Sequence, residues 1–329
     1  MARTTDWENR IGRRVTLRDL YILSTVVRWG SMAKAAPHLA MSQSAVSESI
    51  AHLENAVRVR LLDRTSHGIE PTIYAEKLLK RGHVIFDELQ QAMEDIEFLA
   101  NPTMGEVRIA SPEFLTEWLI PTTIDQLSRQ YPQIVIRVFQ PDTTTLEHKE
   151  LQERSVDLVV TRVPKNFASD IFDIEALFDD PHYVVAGSGS HWAHLRKIAL
   201  VDLANEPWII PPSPVIDALL TKMFEAEGLK PPSKRVIAGS VVLRMHLLAT
   251  GRFLSLFPKS VLRTAAQRWS IKTLPFDLRA EAQPIAIITL KNRTLSAVTQ
   301  LFINELRAVA KDVATVAYAL QALVVPLCA

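Results

Sequence analysis

The sequence predicts an α/β protein with a small, mostly helical N-terminal domain, a long linker helix and a larger domain of two α/β lobes. Residues 16–72 carry the pattern of three short helices followed by a strand-turn-strand. Residues 72–100 repeat apolar positions at heptad spacing, and the rest of the chain alternates strand-like and helical stretches. Such alternation predicts parallel sheets with helices on both faces.

Capping signals mark the first two helices. Thr16 precedes an apolar run with Asp19 three residues later, an acidic form of the capping box, and Gly30 suits a left-handed C-cap. Ser31 suits the N-cap of a second short helix, whose alanines allow a neighbouring helix to approach closely. The order of helix, tight turn and helix predicts a helix-turn-helix.

A third helix begins at Ser42 and presents a small polar face. Its predicted buried side consists of apolar residues at i, i+4 and i+7, namely Val46, Ile50 and Leu53. The outer side then carries hydrogen-bonding residues, namely Gln43, Ser44, Ser47 and Glu48. Short polar side chains let a helix enter the major groove of DNA and reach base edges. The alternative is an ordinary solvated surface helix.

A strand-turn-strand, preceded by Arg58 and Arg60 and containing Arg64, follows this helix and completes a predicted winged helix-turn-helix. Residues 1–82 hold 13 Lys or Arg against 8 Asp or Glu, a net charge of +5, although the whole chain carries only +1. The positive charge supports contact with the phosphates of double-stranded DNA. The candidate DNA-binding residues are Ser31, Lys34, Ser42, Gln43, Ser44, Ser47, Glu48, Arg58, Arg64 and His67.

The predicted linker helix has an apolar side and an acidic side. Residues 83–100 contain five acids and no Lys or Arg, which disfavours contact with DNA. We therefore expect the apolar side to pack on another protein helix. The alternative is an amphipathic helix that packs on its own domain. The candidate dimerisation residues are Leu78, Ile85, Leu89 and Ile96.

Ligands of open α/β sheets bind where strands end and helices begin, and several such junctions here carry hydroxyls. Predicted strands cover residues 107–110, 134–139, 156–161, 182–186, 208–210, 236–238, 253–257 and 284–290. Helix N-terminal amides and arginine attract carboxylates, so a small organic acid is the expected ligand. The candidate ligand-binding residues are Ser111, Thr161, Arg162, Ser213 and Ser240. The alternatives are that the serines only cap helices and that Arg162 pairs with Asp157 or another acid of its lobe.

The segment LRDLYILSTVVRWGSMAKAAPHLAMSQSAVSESIAHLENAVRVRLLDRTSHGIEPT resembles the DNA-binding domain of LysR-type transcriptional regulators. Ser31 fits the family's second helix, Ser42-Gln43 and Ser47 fit its recognition helix, and Thr72 fits the start of the linker. GEVRIASPEFLTEWLIPTTIDQLSRQYPQIVIRV resembles the start of the family's effector-binding domain, and LLATGRFLSLFP resembles a unit of its second lobe.

The resemblance implies a regulator rather than an enzyme. It implies a dimer, with pairing into a tetramer expected, and two-fold symmetry predicts a pseudo-palindromic operator. It also implies a periplasmic-binding-protein-like effector domain, in which ligand-driven closure changes how the paired DNA-binding domains sit on DNA. The expected parts are residues 1–74 (winged helix-turn-helix), 75–103 (linker), 104–311 (effector domain, with lobe I at about 104–166 and 270–311 and lobe II at about 167–269) and 312–329 (apolar tail).

Two residues depart from the family pattern. Pro37 falls inside the second helix, where the missing backbone donor should distort or shorten the helix. Glu48 stands where the family often has a basic residue. A carboxylate accepts from cytosine N4 and repels phosphate, so we expect a different target sequence.

Other functional classes lack their sequence signals. No P-loop, HExxH or GxSxG motif is present, and we expect no cofactor. A metal site at His182, His191 and His194 is the weak alternative to a surface loop.

With Cys328 as the sole cysteine, and without a visible signal peptide or an 18-residue apolar stretch, we expect a soluble, cytoplasmic protein that does not enter a membrane. A second functional alternative is a ligand-independent DNA-binding repressor or architectural protein.

Overall fold

The structure is a computed structural model that describes residues 14–65, 68–140, 147–275, 278 and 282–324, without the side chains of 263–267 and 312–324. The chain divides into two compact units, Met1–Gln90 and Gln91–Ala329. Each unit is described by itself below.

The first unit contains three helices and a two-stranded wing. Its elements are α1 Leu17–Trp29, α2 Met32–His38, α3 Gln43–Val57, β1 Leu62–Thr65 and β2 Gly68–Pro71. The strands pair in antiparallel register. The predicted caps are confirmed: Thr16 and Asp19 form a reciprocal capping box, and Gly30 has φ 61°. The buried side of α3 is also confirmed, because Val46, Ile50 and Leu53 lie in the core of this unit.

Pro37 lies inside α2 and does not break it. The helix includes Pro37 and ends one residue later, at His38. The amide of Leu39 still donates to the carbonyl of Ala35 at 3.1 Å, so only the bond that the proline nitrogen cannot make is missing. Pro37 therefore costs α2 one backbone hydrogen bond and does not interrupt the helix.

Backbone contacts hold the wing against the helices. The amide of Ile69 donates to the carbonyl of Gly30 at 2.8 Å. A Cβ at Gly68, where φ is 129°, would lie 2.7 Å from that same carbonyl oxygen. Glycine is therefore required here by both its backbone conformation and the close approach of Gly30.

The linker helix α4, Ile73–Ala100, is continuous over 28 residues. Near its start, Leu78 packs against the core of the first unit. Near its end, Phe98 packs against the core of the first lobe of the second unit. The predicted long helix is therefore present, with its two ends anchored in different cores.

The second unit contains two five-stranded sheets. Its strands are β3 Met104–Ala110, β4 Gln133–Phe139, β5 Leu158–Arg162, β6 Phe172–Asp180, β7 His182–Gly187, β8 Trp208–Ile210, β9 Arg235–Ile237, β10 Leu254–Pro258, β11 Ile271–Thr273 and β12 Gln283–Leu290. Its helices are α5 Leu119–Gln130, α6 Lys149–Gln152, α7 Leu200–Leu203, α8 Pro214–Glu225, α9 Val241–Ala249, α10 Lys259–Arg268 and α11 Ala297–Val324, with 3-10 helices at Glu113–Leu115 and His191–His194.

Each sheet forms the centre of one lobe. Lobe I has the strand order β4-β3-β5-β12-β6, and lobe II has the order β11-β7-β10-β8-β9. Apolar clusters cover both faces of each sheet, as predicted. The expectation of purely parallel sheets is wrong, because β12 runs antiparallel to β5 and β6, and β7 runs antiparallel to β10 and β11.

The lobe boundaries differ from those expected from the sequence. Strand β6 pairs with β12 along its whole length and therefore belongs to lobe I, so the chain enters lobe II after residue 180 and not near 167. Strand β11 pairs with β7 in lobe II, so the chain returns to lobe I after residue 273, close to the expected position near 270. Neither β6 nor β11 was among the predicted strands.

The expected apolar tail continues a helix. Helix α11 extends to Val324, and residues 325–329, which include Cys328, lie outside the described part of the chain. Among the helices that the structure describes, none combines the length and the apolar composition needed to cross a bilayer.

Candidate DNA-binding surface and effector site

The start of α3 presents a polar, solvent-accessible surface. Ser42 caps the helix by accepting from the amide of Ala45 at 3.2 Å, and its hydroxyl lies 2.9 Å from that of Ser44. The side chains of Gln43 and Glu48 are also exposed, whereas Ser47 is half-buried. This part of α3 therefore offers hydrogen-bonding groups and one carboxylate to a partner.

The other candidate DNA-binding residues surround this surface in sequence. Ser31 is the N-cap of α2, and the side chains of Lys34, Arg58 and Arg64 are exposed. Arg58 ends α3 in the left-handed conformation, with φ 61°. His67 lies outside the described residues.

Glu54 joins α3 to the wing, and it was not among the predicted site residues. Its Oε1 accepts from the amides of Leu61 and Leu62, at 2.7 and 3.2 Å. One carboxylate oxygen therefore fixes the backbone at the point where the wing begins. Leu61 and Leu62 lie beyond the end of α3, so the periodicity of the helix does not predict these two bonds.

The candidate dimerisation residues divide into two groups. Leu78 contacts the core of its own domain and is only partly accessible. Ile85, Leu89 and Ile96 are 44%, 48% and 59% exposed. Three apolar side chains on one helix thus lack cover in the single chain, which is the arrangement that a helix partner would bury.

The predicted ligand-binding hydroxyls occupy different environments. Ser111 is fully buried, and its Oγ has no hydrogen-bond partner among the described residues. Thr161 is buried in lobe I. Ser240 caps α9 by accepting from the amide of Leu243 at 3.3 Å, whereas Ser213 precedes α8 without a side-chain capping bond.

Arg162 makes an ion pair inside the protein. Its Nη2 lies 2.7 Å from Oδ2 of Asp180, and its Nη1 donates to Nδ1 of His182 at 2.8 Å. Of the alternatives that the sequence left open for Arg162, the structure favours pairing with an acid of its own lobe. That acid is not Asp157, which binds Arg108 and Arg293 instead.

Asp180 and His182 connect the two lobes at the crossing from β6 to β7. Asp180 also accepts from the amide and hydroxyl of Ser260, at the start of α10 in lobe II, at 2.9 and 2.7 Å. Burial raises the pKa of Asp180, while Arg162 and Ser260 act in the opposite direction. Burial lowers the pKa of His182 well below its usual value, and the charges of Arg162 and Arg244 lower it further. His182 is therefore neutral and can accept from Arg162.

Arg244 is a site residue that the sequence analysis missed. It lies on α9, is only 5% exposed, and its Nε has no hydrogen-bond partner among the described residues. Its Cζ lies 4.4 Å from the ring centroid of Phe257. Burial lowers the pKa of Arg244 to about 10, with Glu113 opposing the shift, so the guanidinium remains charged at neutral pH. Helical spacing could have indicated that Arg244 is buried, because it falls on the same face of α9 as the buried Val241 and Leu248.

Glu113 brings a carboxylate from lobe I to the start of α9 in lobe II. Its Oε2 accepts from the amide of Val241 at 2.9 Å, and its Oε1 lies 3.5 Å from the hydroxyl of Ser240. Phe114, the next residue, places its ring centroid 5.4 Å from Cζ of Arg162. The two arginines, His182 and Glu113 thus converge where lobe I meets lobe II.

The three histidines considered for a metal site have other surroundings. His182 binds Arg162, and the ring of His191 lies 4.1 Å from that of Trp192. Within the described ranges, no group of three or more His, Cys, Asp or Glu side chains is placed to hold a metal ion.

Two models of known protein families match nearly the whole described chain. Residues 17–76 match the model of the bacterial regulatory helix-turn-helix protein, lysR family. Residues 100–311 match the model of the LysR substrate binding domain. These two ranges coincide with the helix-turn-helix and wing and with the two α/β lobes.

Similar proteins are transcriptional regulators. The chain is 26% identical over 297 residues to the HTH-type transcriptional regulator GbpR of Azospirillum brasilense, covering 90% of this chain and 86% of that protein. It is 27% identical over 255 residues to the transcriptional dual regulator GltC of Bacillus subtilis, covering 77% of this chain and 83% of that protein. The enzyme alternative has no support among these relatives.

Solved structures share the fold. Full-length OxyR from Pseudomonas aeruginosa superposes with a TM-score of 0.63 at 20% identity, covering 89% of this chain and 95% of that chain. Full-length CbnR complexed with its target DNA superposes with a TM-score of 0.60 at 20% identity, covering 90% of this chain and all of that chain. The family matches and these folds agree, and the chain belongs to the LysR family of DNA-binding transcriptional regulators.

Proposed function

We propose that this LysR-type regulator binds a pseudo-palindromic operator as a dimer or tetramer, and that a small anionic organic acid, bound between lobes I and II, modulates this binding. The observation that carries the effector proposal is Arg244, a charged side chain buried without a hydrogen-bonded acid. The DNA-binding part rests on the exposed polar start of α3, the exposed Arg58 and Arg64 beside it, and the exposed apolar positions of α4.

A guanidinium that is buried without a hydrogen-bonded acid is energetically costly, and this cost supports a functional role for Arg244. Moving a charge out of water costs several kcal/mol unless a counter-ion and hydrogen bonds compensate. The ring of Phe257 supplies a cation–π contact of about 1–2 kcal/mol, which covers only part of that cost. An anionic ligand would supply the remainder, and arginine binds carboxylates with two parallel hydrogen bonds.

Side chains of both lobes could contribute polar and apolar contacts to a small ligand. Ser111 offers a buried hydroxyl whose Oγ has no partner within the described chain. Phe114 and Phe257 offer aromatic surfaces on the two lobes. Arg162 serves in this proposal as a positioning residue, because its guanidinium is already held by Asp180 and His182.

A ligand that touches both lobes favours one arrangement of the lobes over others. The effector shifts the conformational equilibrium only as far as its affinities for the two arrangements of the lobes differ. Contacts with both lobes produce such a difference, because they can form fully in only one arrangement. The lobes would transmit this shift to the operator-bound DNA-binding domains through the assembly.

A thermal-shift experiment tests the effector class. Benzoate, gluconate and glutamate represent aromatic, sugar and amino acids, and each is added to the full chain. We expect at least one acid to raise the melting temperature of the wild type and R244K, while R244M loses the shift. R252M is the matched control, because Arg252 also stacks on a phenylalanine but is exposed. An acid that stabilises R244M as much as the wild type would refute the role of Arg244, and no shift with any acid would favour the ligand-independent repressor.

Sequencing of genomic DNA bound to the purified protein tests the operator. We expect a motif with two-fold symmetry that remains bound at physiological salt. Uniform binding that disappears at modest salt would indicate an architectural protein instead.

A further inference from the structure

The starting observation is the carboxylate of Glu113 on the first turn of α9. Glu113 belongs to lobe I and α9 to lobe II, and 128 residues separate Glu113 from Val241, whose amide donates to it at 2.9 Å. Ser240 already caps α9 by accepting from the amide of Leu243. Glu113 is therefore a second acceptor at this helix end, supplied by the opposite lobe.

The start of α9 and Arg244 form two adjacent sets of donors for an anion. The amides of the first turn point out of the helix and carry partial positive charge. Arg244 lies on the same nine-residue helix, three residues after Val241, and it is the buried cation whose Nε has no partner among the described residues. Glu113 acts on Arg244 electrostatically, but no ion pair within 4.0 Å joins them in the described structure.

We infer that Glu113 is an intramolecular competitor of the effector: its carboxylate holds the donors at the start of α9, and an anionic effector on Arg244 displaces it. The inference rests on the proposed function, because it assigns a regulatory residue to the same site. Two carboxylates beside one helix end repel each other, so the effector and Glu113 exclude one another. Displacement breaks a hydrogen bond between the lobes, which couples occupancy of the site to the arrangement of the lobes.

The same contact sets the affinity threshold of the regulator. The effector must offset the loss of a charge-assisted hydrogen bond before it gains its own contacts, so the apparent affinity is lower than the site alone would give. Removing the charge of Glu113 therefore strengthens effector binding. A residue that bound the effector itself would have the opposite effect, because its replacement would weaken effector binding.

Calorimetric titration of the full chain with the acid that stabilises the wild type tests the inference. We expect E113Q and E113A to bind that acid about tenfold more tightly, which is about 1.4 kcal/mol. E153Q is the matched control, because Glu153 is an exposed acid of the same lobe, and its affinity should equal that of the wild type. Unchanged or weaker binding by both Glu113 variants would overturn the inference.

Hydrogen exchange gives a readout that needs no ligand. We expect the amide of Val241 to exchange faster in E113A than in the wild type and E153Q, because its acceptor is gone. The amide of Leu243, which donates to Ser240, should be unaffected. Equal exchange rates would overturn the inference, whatever the acids do. If exchange accelerates but no acid binds any variant, the contact is real and the proposed effector class is wrong.

Discussion

The guanidinium of Arg162, at the end of β5, lies 2.7 Å from the carboxylate of Asp180, at the end of β6. Strand β12 separates these two strands in the sheet, so the ion pair joins non-neighbouring strand ends. Asp180 also binds Ser260 of lobe II. A single buried carboxylate thus connects two strands of lobe I to a helix of lobe II at the point where the chain passes between them.

The first prediction concerns this ion pair. We expect D180N to lower the free energy of unfolding by about 3–5 kcal/mol, because it leaves Arg162 as a buried charge without its acid. D125N is the matched control: Asp125 pairs with Arg129 at the surface, where such pairs contribute about 1 kcal/mol or less. Denaturant unfolding of the full chains measures both, and equal losses would show that the Asp180 pair has no special structural role.

The second prediction concerns pH. The folded protein holds the proton on His182 less tightly than the unfolded chain does, because its pKa is lowered in the fold. The stability contributed by neutral His182 is therefore complete above about pH 6.5, the usual histidine pKa, and is lost as the pH falls below it. We expect the wild type to lose more unfolding free energy than H182Q between about pH 7.5 and pH 5. His148, whose pKa burial also lowers, is present in both chains and cancels in the comparison. Parallel pH profiles would contradict the prediction.

The third prediction concerns the wing. We expect E54A to destabilise the first unit by about 1–3 kcal/mol, because the amides of Leu61 and Leu62 lose a shared acceptor. E54Q keeps an oxygen at this position and should lose less. Operator affinity, measured by fluorescence anisotropy, should fall in the same order. An E54A protein with wild-type stability and affinity would show that the wing is fixed by its other contacts.

The fourth prediction separates sequence reading from phosphate binding on the DNA-binding surface. We expect E48A to change the preferred base at one position of each half-site. The exposed carboxylate of Glu48 can accept a hydrogen bond from cytosine N4, and the variant lacks that acceptor. K34A should weaken binding to all sequences and reduce the salt slope by about 1. Sequence selection at two salt concentrations measures both effects. If K34A changed the preferred base and E48A changed only the salt dependence, the roles assigned to the two residues would be wrong.

The fifth prediction concerns the linker helix. We expect L89E to weaken dimerisation at least tenfold, because it places a charge among the exposed apolar positions of α4 that include Ile85 and Ile96. H83E introduces the same charge on another face of the helix and should leave the dimer intact. Analytical ultracentrifugation distinguishes them. A monomeric wild type, or equal dimerisation of both variants, would refute the assigned surface.

Local sequence signals predicted the N-terminal unit well. The capping box at Thr16 and the left-handed cap at Gly30 involve residues within a few positions of each other, so one helical turn contains the whole physical cause. Two of the strands, β6 and β11, could not be predicted from local signals. Strand β6 carries acids on both sides of its apolar residues, and its identity depends on pairing with β12, more than 100 positions later in the chain. Strand β11 has only three residues.

By itself, the sequence determined the helix-turn-helix with its wing, the long linker helix and the presence of two α/β lobes, because these follow from short-range periodicity and caps. It indicated the family through the resemblance of whole segments, not through periodicity. Only the tertiary structure decided which charges are paired. It gave Arg162 an acid, left Arg244 buried without a hydrogen-bonded acid in the described chain, and placed Glu113 on α9. Burial and distance set these relationships between residues far apart in the chain, and neither quantity can be read from local spacing.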